Sequence, residues 1–271
     1  MESSDPDKGA SRPRAVAAHS TLIVVPCFNE ERRLDVARFI ELADAKDVQL
    51  LFVDDGSSDG TGRVLGELAA RKTNIAFLRL SKNGGKGEAV RQGMLAALAK
   101  KAEAPVIVGY ADADLSTPPE ELVRLRDEMT LTGVSVVTAA RVALIGRNIR
   151  RRAARHYLGR VFATVASGIL DAPFYDTQCG AKFFRSSTLL REVLEKPFRS
   201  RWAFDVELLG RLLVGTRANP PLERSAFLEV PLYHWEDVGG SKLKTSGMIA
   251  AVGDLASIAF ELAELRRARR S

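Results

Sequence analysis

Two carboxylates one residue apart, Asp112 and Asp114, follow an apolar run over residues 104–111 that is typical of a buried strand. Side chains two positions apart on an extended chain point the same way, so both carboxylates would stand together at the end of this strand. Two like charges that close are costly without a cation between them, and hard divalent cations prefer oxygen ligands. The pair therefore indicates a divalent-metal site. The alternative is a helix entry, in which the two acids and Ser116 cap the helix that follows.

The elements around this pair alternate regularly through the first half of the chain. The pattern predicts strands over 21–26, 49–53, 75–80, 104–111 and 134–140, and helices over 30–45, 61–71, 88–101 and 120–129. Such alternation predicts an α/β fold, with a mostly parallel central sheet and helices on both faces. In sheets of this kind, ligands bind outside the carboxyl ends of the strands.

Residues that could bind a ligand lie at or soon after the end of each of the five predicted strands, so one rim of the sheet should collect them. They are Pro26, Asn29, Glu30, Asp54, Asp55, Lys86, Asp112, Asp114 and Arg141. The turn before Lys86 is rich in glycine but has neither the dinucleotide fingerprint nor the P-loop spacing. A lysine at a helix N-terminus still suits a phosphate, although a tight turn with a solvated lysine is the alternative.

The second half loses the alternation. Helices are predicted over 150–170, 187–195, 204–214 and 248–266, and a strand over 228–235. The last helix is amphipathic, with an apolar stripe opposed by a polar face. The stripe is Met248, Val252, Leu255, Ala259, Leu262 and Leu265, and the polar face is Asp254, Ser257, Glu261 and Glu264. Because no second core is evident, we expect a disordered tail over 1–20, a single domain over 21–245 and a C-terminal amphipathic helix with a basic end over 246–271.

Positive charge is concentrated in one segment. The net charge is +6, and no acidic residue lies between Glu128 and Asp171. The arginines of that segment are Arg141, Arg147, Arg150, Arg151, Arg152, Arg155 and Arg160. Such a block points to a polyanionic partner, whether nucleic acid, lipid phosphate or a phosphorylated substrate. A solvated helix face is the alternative, but the missing acids favour a partner.

Several classes of protein are excluded by the sequence. No apolar stretch approaches the ~20 residues that a bilayer span needs, and the N-terminal residues contain no apolar core of a signal peptide. Cys27 and Cys179 lie far apart without metal-ligand spacing, which is typical of reduced thiols. We therefore expect a cytoplasmic protein, and the arginine block would place it peripherally on an anionic membrane face.

Four motifs in the first half carry a resemblance to a known family. They are Pro-Cys-Phe-Asn-Glu at 26–30, Val-Asp-Asp-Gly-Ser-Ser-Asp-Gly-Thr at 53–61, Asn-Gly-Gly-Lys-Gly at 83–87 and Asp-Ala-Asp at 112–114. On these motifs the chain resembles the family 2 glycosyltransferases, which have a GT-A fold and use a nucleotide-sugar donor. Three further motifs are similar to the dolichyl-phosphate β-glucosyltransferase branch: Asp-Thr-Gln-Cys-Gly-Ala-Lys-Phe-Phe at 176–184, Arg-Trp-Ala-Phe-Asp-Val-Glu-Leu-Leu at 201–209 and Gly-Ser-Lys-Leu at 240–243.

The resemblance implies roles for the rim residues. Those matching the family's nucleotide-sugar site are Pro26, Asn29, Glu30, Asp54, Asp55, Lys86 and Asp112. Asp112 and Asp114 match a pair that binds Mg²⁺ or Mn²⁺, with Asp114 the direct ligand. Arg141 matches an arginine close to the diphosphate or the acceptor phosphate. The metal would neutralise the charge that builds on the leaving UDP.

The resemblance further implies an inverting transfer of a hexose, glucose from UDP-glucose, to a polyprenyl or dolichyl phosphate. A phosphate monoester has a second pKa near 6, so this nucleophile is already ionised at neutral pH and needs no strong base. Arg150, Arg151, Arg152 and Arg155 are candidates, with Arg141, for holding the acceptor phosphate. Asp176 and Asp205 are candidate bases or sugar ligands, with a structural hydrogen bond or helix cap as the alternative.

Membrane contact needs a source, because many relatives in this branch carry a membrane-spanning segment and this sequence shows none. The arginine block, the C-terminal helix and the basic end at 266–270 are the candidates, but the acidic polar face of that helix favours its packing on the domain. Two other functions stay open at this point. One is a family 2 transferase for a soluble sugar or phosphorylated acceptor, and the other is a module that binds anionic lipid or nucleic acid. The intact rim motifs and the lack of aromatics between the arginines disfavour nucleic acid.

Overall fold

The structure, a computed structural model, describes residues 20–99, 104–150, 153–236 and 246–270. The side chains of 153–156, 158, 246–252 and 270 lie outside this description. The predicted tail up to residue 19, the motif at 240–243 and the candidates Arg151 and Arg152 fall outside the described residues, as does the side chain of Arg155.

Nine strands and eight α-helices are described. The strands are β1 Thr21–Cys27, β2 Val48–Asp54, β3 Ile75–Arg79, β4 Ile107–Tyr110, β5 Val136–Ala140, β6 Asn148–Arg150, β7 Lys182–Arg185, β8 Phe227–Pro231 and β9 His234–Glu236. The helices are α1 Val36–Asp44, α2 Thr61–Arg71, α3 Lys86–Ala99, α4 Pro119–Thr132, α5 Ala153–Leu170, α6 Thr188–Glu195, α7 Phe204–Val214 and α8 Ser246–Arg270.

Seven strands form one sheet in the order β3-β2-β1-β4-β7-β5-β8, and β6 pairs with β9 beside it. All neighbours in the large sheet are parallel except β7, which runs antiparallel between β4 and β5. Cys27 pairs with Asp54, and Asp54 with Arg79, so the carboxyl ends of β1, β2 and β3 are level. The mostly parallel α/β sheet is confirmed, and its rim is continuous across the first three strands.

Helices cover both faces of the sheet, as predicted. On one face, Phe39 of α1, Leu65 of α2 and Leu122 of α4 pack with Val25 of β1 in a buried cluster. On the other, α3, α5, α6, α7 and α8 pack in a second cluster around Val24, the next residue of the same strand. Successive side chains of a strand point to opposite faces, so a single β1 strand supplies both cores.

Several predicted boundaries were wrong. The helix predicted over 30–45 begins only at Val36, because the Asp35 carboxylate accepts a hydrogen bond from the Arg38 amide and caps it there. The strand predicted over 228–235 is two strands, β8 and β9, which pair with different partners. Strands β6 and β7 were missed because they have only three and four residues, too few for alternation to show.

The predicted polar face of the C-terminal helix also needs correction. Leu255, Ile258 and Leu262 are buried in the core as an apolar stripe, but Glu261, assigned to the polar face, is fully buried beside them. Its carboxylate lies 3.1 Å from Arg211 Nη2 and 2.7 Å from Lys196 Nζ. A buried charge is tolerated when cations pair with it, and pattern alone cannot see partners supplied by α7 and the segment before it.

The buried Glu207–Arg211–Glu261 cluster gives a pH prediction. The pKa of Glu207 is raised to about 7, chiefly by burial; the charge of Arg211 opposes this shift and Glu261 adds to it. Between pH ~4.5 and ~7 the folded chain therefore holds a proton that the unfolded chain releases, so this group lowers the free energy of unfolding as the pH rises.

We expect Glu207→Gln to gain stability relative to the unaltered chain as the pH is raised from about 5 to about 8, because glutamine cannot titrate. Urea unfolding across this range measures the difference. Glu67→Gln, at an exposed carboxylate paired with Arg63, is the matched control and should show a constant difference. A constant difference for Glu207→Gln as well would contradict the prediction.

Candidate functional site

The turns after β1 and β2 are bound to each other. Asn29, whose φ of 53° is left-handed, donates its amide to Ser57 Oγ over 3.0 Å and accepts the Ser58 amide on Oδ1 over 2.9 Å. The Glu30 amide donates to Thr61 Oγ1 over 2.8 Å. Asn tolerates this backbone conformation better than most residues, which explains its use here. Asn29 and Glu30 therefore do reach the second strand's end.

Asp54 and Asp55 shape the rim from within. Asp54 is fully buried; its Oδ1 accepts the Ser57 amide over 2.9 Å and its Oδ2 lies 3.4 Å from Arg79 Nε. Both oxygens of Asp55 accept amides of the glycine-rich loop, from Gly84 and Gly85, at 2.7 Å each. Asp55 thus links the second strand's end to the loop that carries Lys86.

Lys86 and Asp112 form the central ion pair of the rim, with Nζ 2.5 Å from Oδ1. Desolvation lowers the pKa of Lys86, but the charges of Asp112, Asp205 and Asp114 outweigh it and raise that pKa above its usual value. The other Asp112 oxygen approaches Gly180 so closely that an added Cβ would lie 2.0 Å away. The glycine of the 176–184 motif therefore makes room for this carboxylate.

Asp114 turns away from Asp112 toward a different cation. Its Oδ1 accepts the amide and the hydroxyl of Ser116 at 3.0 Å and 2.8 Å, and its Oδ2 lies 3.8 Å from Arg33 Nη2. The extended geometry predicted for this pair is wrong, because Leu115 has a φ of 50° and its amide bonds back to the Asp112 carbonyl. The helix-cap alternative is wrong too: the N-cap of α4 is Pro118, with no side-chain cap.

These two carboxylates fit a divalent cation. The Asp112 and Asp114 side chains are 34% and 26% exposed, which leaves them accessible from the rim, and a divalent cation there would compete with Lys86 and Arg33 for their oxygens. Carboxylate oxygens are the donors that Mg²⁺ and Mn²⁺ prefer. Among the described residues no group of three or more such ligands gathers. A cation on this pair would therefore take its other ligands from bound phosphate or water.

Arg141 and Asp176, both predicted site residues, form a nearly buried bidentate pair. Arg141 Nε and Nη2 lie 2.7 Å and 2.8 Å from the two Asp176 oxygens, and the Arg141 amide donates to Oδ2. Burial lowers the pKa of Arg141, but the charge of Asp176 raises it above its usual value. Glu229 on β8 accepts the Asp176 amide over 2.6 Å and so holds the pair from behind. In this arrangement both Asp176 oxygens are committed to Arg141.

Asp205 lies in a second buried ion pair that the sequence did not reveal. It accepts a hydrogen bond from Lys182 Nζ at 2.6 Å and another from the Tyr110 hydroxyl. Tyr110 and Lys182 are register partners on β4 and β7, which places both beneath the rim. Lys182 was missed because the antiparallel strand that carries it was missed.

The other described arginines of the basic segment have partners from elsewhere in the chain. Arg150 Nη1 lies 3.5 Å from Glu236 Oε1, Arg147 stacks 3.4 Å above the Tyr233 ring, and Arg160 donates to the Tyr175 carbonyl over 2.8 Å. The segment's lack of acids therefore did not mean that its charges are unpaired. Arg160 and Arg141 approach adjacent residues, 175 and 176.

The two cysteines are free, as predicted, and both are buried. Burial raises the pKa of the Cys179 thiol to about 11, and that of Cys27 also rises with burial. Both thiols are therefore protonated at neutral pH and are poor nucleophiles. None of the described helices is long and apolar enough to span a bilayer.

The Arg141–Asp176 pair yields a stability prediction. Asp176→Ala should lower the free energy of unfolding by roughly 3 kcal/mol, because it leaves a nearly buried guanidinium without its carboxylate. Arg141→Met added to that variant should recover part of the loss. Urea unfolding of both single variants and the double variant measures their coupling. Strictly additive effects would show that the pair does not act as a unit.

The chain is similar in sequence to known proteins. The dolichyl-phosphate beta-glucosyltransferase of Dictyostelium discoideum is 29% identical, with 88% of this chain and 73% of that protein covered. The Drosophila melanogaster protein of the same name is 31% identical, with 82% and 68% covered.

Solved structures give the same fold. Glucosyl-3-phosphoglycerate synthase from Mycobacterium tuberculosis, in complex with Mn²⁺, UDP and glucosyl-3-phosphoglycerate, matches with a TM-score of 0.59 at 20% identity, over 91% of this chain and 82% of that one. The predicted GT-A fold is confirmed. The family model "Glycosyl transferase family 2" matches residues 22–196. This chain is therefore a glycosyltransferase and belongs to glycosyl transferase family 2.

Proposed function

We propose that this protein transfers glucose from UDP-glucose to the phosphate of a polyprenyl lipid, of the dolichyl type, with inversion at the anomeric carbon. The observation that carries the proposal is the Lys86–Asp112–Asp114 rim in a family 2 fold whose relatives are named dolichyl-phosphate beta-glucosyltransferases. The enzyme assignment removes the alternative of a binding module without activity.

The donor would bind where the first three strands end. Pro26, Asn29 and Glu30 border the nucleotide from β1, and Asp55 shapes the loop that brings Lys86 to the diphosphate. A cation so placed stabilises negative charge as it develops on the departing nucleotide. Asp54 is fully buried, so it supports these strand ends from beneath and does not reach the rim. A structural neighbour with UDP and Mn²⁺ bound supports a donor of this class.

Asp112 and Asp114 would hold the metal, Mg²⁺ or Mn²⁺. Bound there, a divalent cation supplies Lewis-acid stabilisation of the diphosphate leaving group. The chain's own part is to hold two hard carboxylates apart on a turn, with Ser116 fixing Asp114 and Gly180 giving Asp112 space. Asp114, whose carboxylate contacts Ser116 and, at 3.8 Å, Arg33, is the better direct ligand, and Asp112 is the better contact for the ribose.

The acceptor phosphate needs positive charge to hold it more than it needs a general base. A phosphate oxygen attacks the anomeric carbon and the bond to UDP breaks; no proton has to be removed from a phosphate monoester that is already ionised near neutral pH. This agrees with Asp176 and Asp205, the two candidate bases, both being bound to buried cations. Asp176 instead orients Arg141 at the end of β5, where Arg141 would meet the acceptor phosphate.

Exposed apolar residues offer a membrane contact beside the acceptor end. Leu144 and Ile145 are exposed on the loop after β5, and Tyr157, Val161 and Val165 expose successive turns of α5. Arg150, also exposed, lies between them in sequence. Apolar side chains flanked by arginines suit the interface of an anionic bilayer. By contrast, Leu255, Ile258 and Leu262 of α8 pack against the core, and among its described side chains Phe260 and the basic end at 266–269 are exposed.

Removal of the metal-ligating charge tests the donor chemistry. Asp114→Asn should reduce turnover of UDP-glucose at least about a hundredfold, because an amide holds a divalent cation far less well than a carboxylate. Release of UDP in the presence of a short polyprenyl phosphate and Mn²⁺ is the measurement. Asp127→Asn, at an exposed carboxylate on α4 that pairs with its neighbour Arg126, should leave turnover unchanged. Full activity of Asp114→Asn would exclude the proposed metal role.

Charge reversal of the apolar surface tests the membrane contact. The Ile145→Glu/Val161→Glu double variant should lose most of its flotation with phosphatidylserine-containing vesicles, because carboxylates oppose entry into an anionic interface. Leu131→Glu, which alters an equally exposed apolar residue on α4, is the control and should float as the unaltered chain does. If the unaltered chain stays in the soluble fraction, the membrane contact is wrong.

A further inference from the structure

Arg201, the first residue of the 201–209 motif, has no role in the site described above, yet it reaches across to the glycine-rich loop. Its Nε donates to the Gly84 carbonyl over 2.9 Å, and its Nη2 donates to the Asn83 carbonyl over 3.3 Å and to Asn83 Oδ1 over 2.6 Å. These contacts span 117 to 118 residues of sequence, so they tie two distant segments together.

The loop is therefore held from two directions. Asp55 accepts the amides of Gly84 and Gly85, and Arg201 donates to the carbonyls of Asn83 and Gly84. The fit is tight, because a Cβ on Gly85 would lie 2.8 Å from Arg201 Nε, and Gly85 has a left-handed φ of 92°. We call these contacts of Asp55 and Arg201 with the loop the clamp. Lys86 follows the loop immediately, so its position depends on the clamp.

The backbone segment that carries Arg201 contacts the C-terminal helix, α8. Residues 196–203, which we call the strap, contact three acidic residues of α8. Lys196 Nζ lies 2.7 Å from Glu261, Arg199 Nη2 lies 3.1 Å from Glu264, and the Ser200 hydroxyl donates to Asp254 over 2.6 Å.

The Ser200 oxygen also accepts the amides of Trp202 and Ala203, at 3.2 Å and 2.6 Å. It therefore fixes the backbone on both sides of Arg201. The arginine is exposed, but the chain that carries it is not loose, since Ser200 itself is buried.

We propose that Arg201 is a positioning residue for nucleotide binding, and that α8 sets its position through the strap. Its three acceptors are neutral oxygens, so the interaction is directional and depends on the guanidinium fork spanning Asn83 and Gly84. The inference rests on the proposed function, because it takes the loop before Lys86 to be part of the donor site. It adds the C-terminal helix, α8, to the elements that position this site.

Two measurements test the proposal. Arg201→Ala should weaken binding of UDP with Mn²⁺ about tenfold by calorimetry, which corresponds to roughly one or two hydrogen bonds. Amide exchange in peptides over 81–88 should be several-fold faster in the free variant, since the clamp is lost without any ligand. Arg201→Lys keeps the charge but cannot span two acceptors, so it should bind UDP nearly as weakly as Arg201→Ala.

Variants that change the contacts of α8 test its part in the proposal. Asp254→Ala removes the Ser200 contact and should weaken UDP binding about threefold, and its effect should not add to that of Arg201→Ala. Arg217→Ala is the matched control, because it removes a contact of Arg217 with the far end of α8, at the Ala268 carbonyl, and should leave UDP affinity unchanged.

The outcomes separate this inference from the proposed function. If the unaltered chain does not bind UDP, the proposed donor is wrong and the inference falls with it. If the unaltered chain binds UDP and Arg201→Ala binds equally well, only the positioning role is overturned. Full affinity of Arg201→Lys would show that charge alone matters and would overturn it as well.

Discussion

The constraint on which this structure depends is the gathering of carboxylates at one rim. A parallel sheet brings the ends of its strands together, and here several of those ends carry aspartates. Carboxylates gathered in this way repel one another, and they are tolerated only when cations or amides compensate their charge. The compensating pairs are Asp54 with Arg79, Asp55 with two amides, Asp112 with Lys86, Asp114 with Arg33, Asp176 with Arg141 and Asp205 with Lys182.

Exposure divides four of these pairs into two groups. Lys182–Asp205 and Arg141–Asp176 are buried or nearly so, with short contacts, and the Tyr110 hydroxyl of β4 also donates to Asp205. Lys86–Asp112 and Arg33–Asp114 are partly exposed, so a ligand can exchange with their partners. The proposed chemistry therefore falls on the exposed pairs, and the buried pairs provide the rigid base beneath them.

The sequence predicted the rim well because the rim follows from local rules. The alternation of strands and helices predicted the sheet, and the ends of the predicted strands predicted Asn29, Asp55, Lys86 and Asp112 as rim residues. The contributions of the second half were harder, since they depend on long-range pairing. Strand β7 has four residues and inserts antiparallel between β4 and β5, so neither Lys182 nor the need for Gly180 could be read from spacing. Arg33 and Arg201 carried no periodic signal at all.

The roles of the predicted bases changed most. Asp176 and Asp205 lie in the motifs at 176–184 and 201–209, but sequence does not show which cation meets a carboxylate. In the structure each is bound by a buried lysine or arginine. A transfer that needs no base is consistent with this, because an acceptor phosphate arrives ionised.

The central claim is the pairing of a UDP-glucose donor with a lipid phosphate acceptor. Purified protein with Mn²⁺ should be supplied with UDP-glucose or GDP-mannose, and with a short polyprenyl phosphate or a soluble phosphorylated acceptor such as 3-phosphoglycerate. The account predicts UDP release and a glucosylated lipid phosphate only for UDP-glucose with the polyprenyl phosphate. Transfer to the soluble acceptor alone, or from GDP-mannose alone, would contradict it.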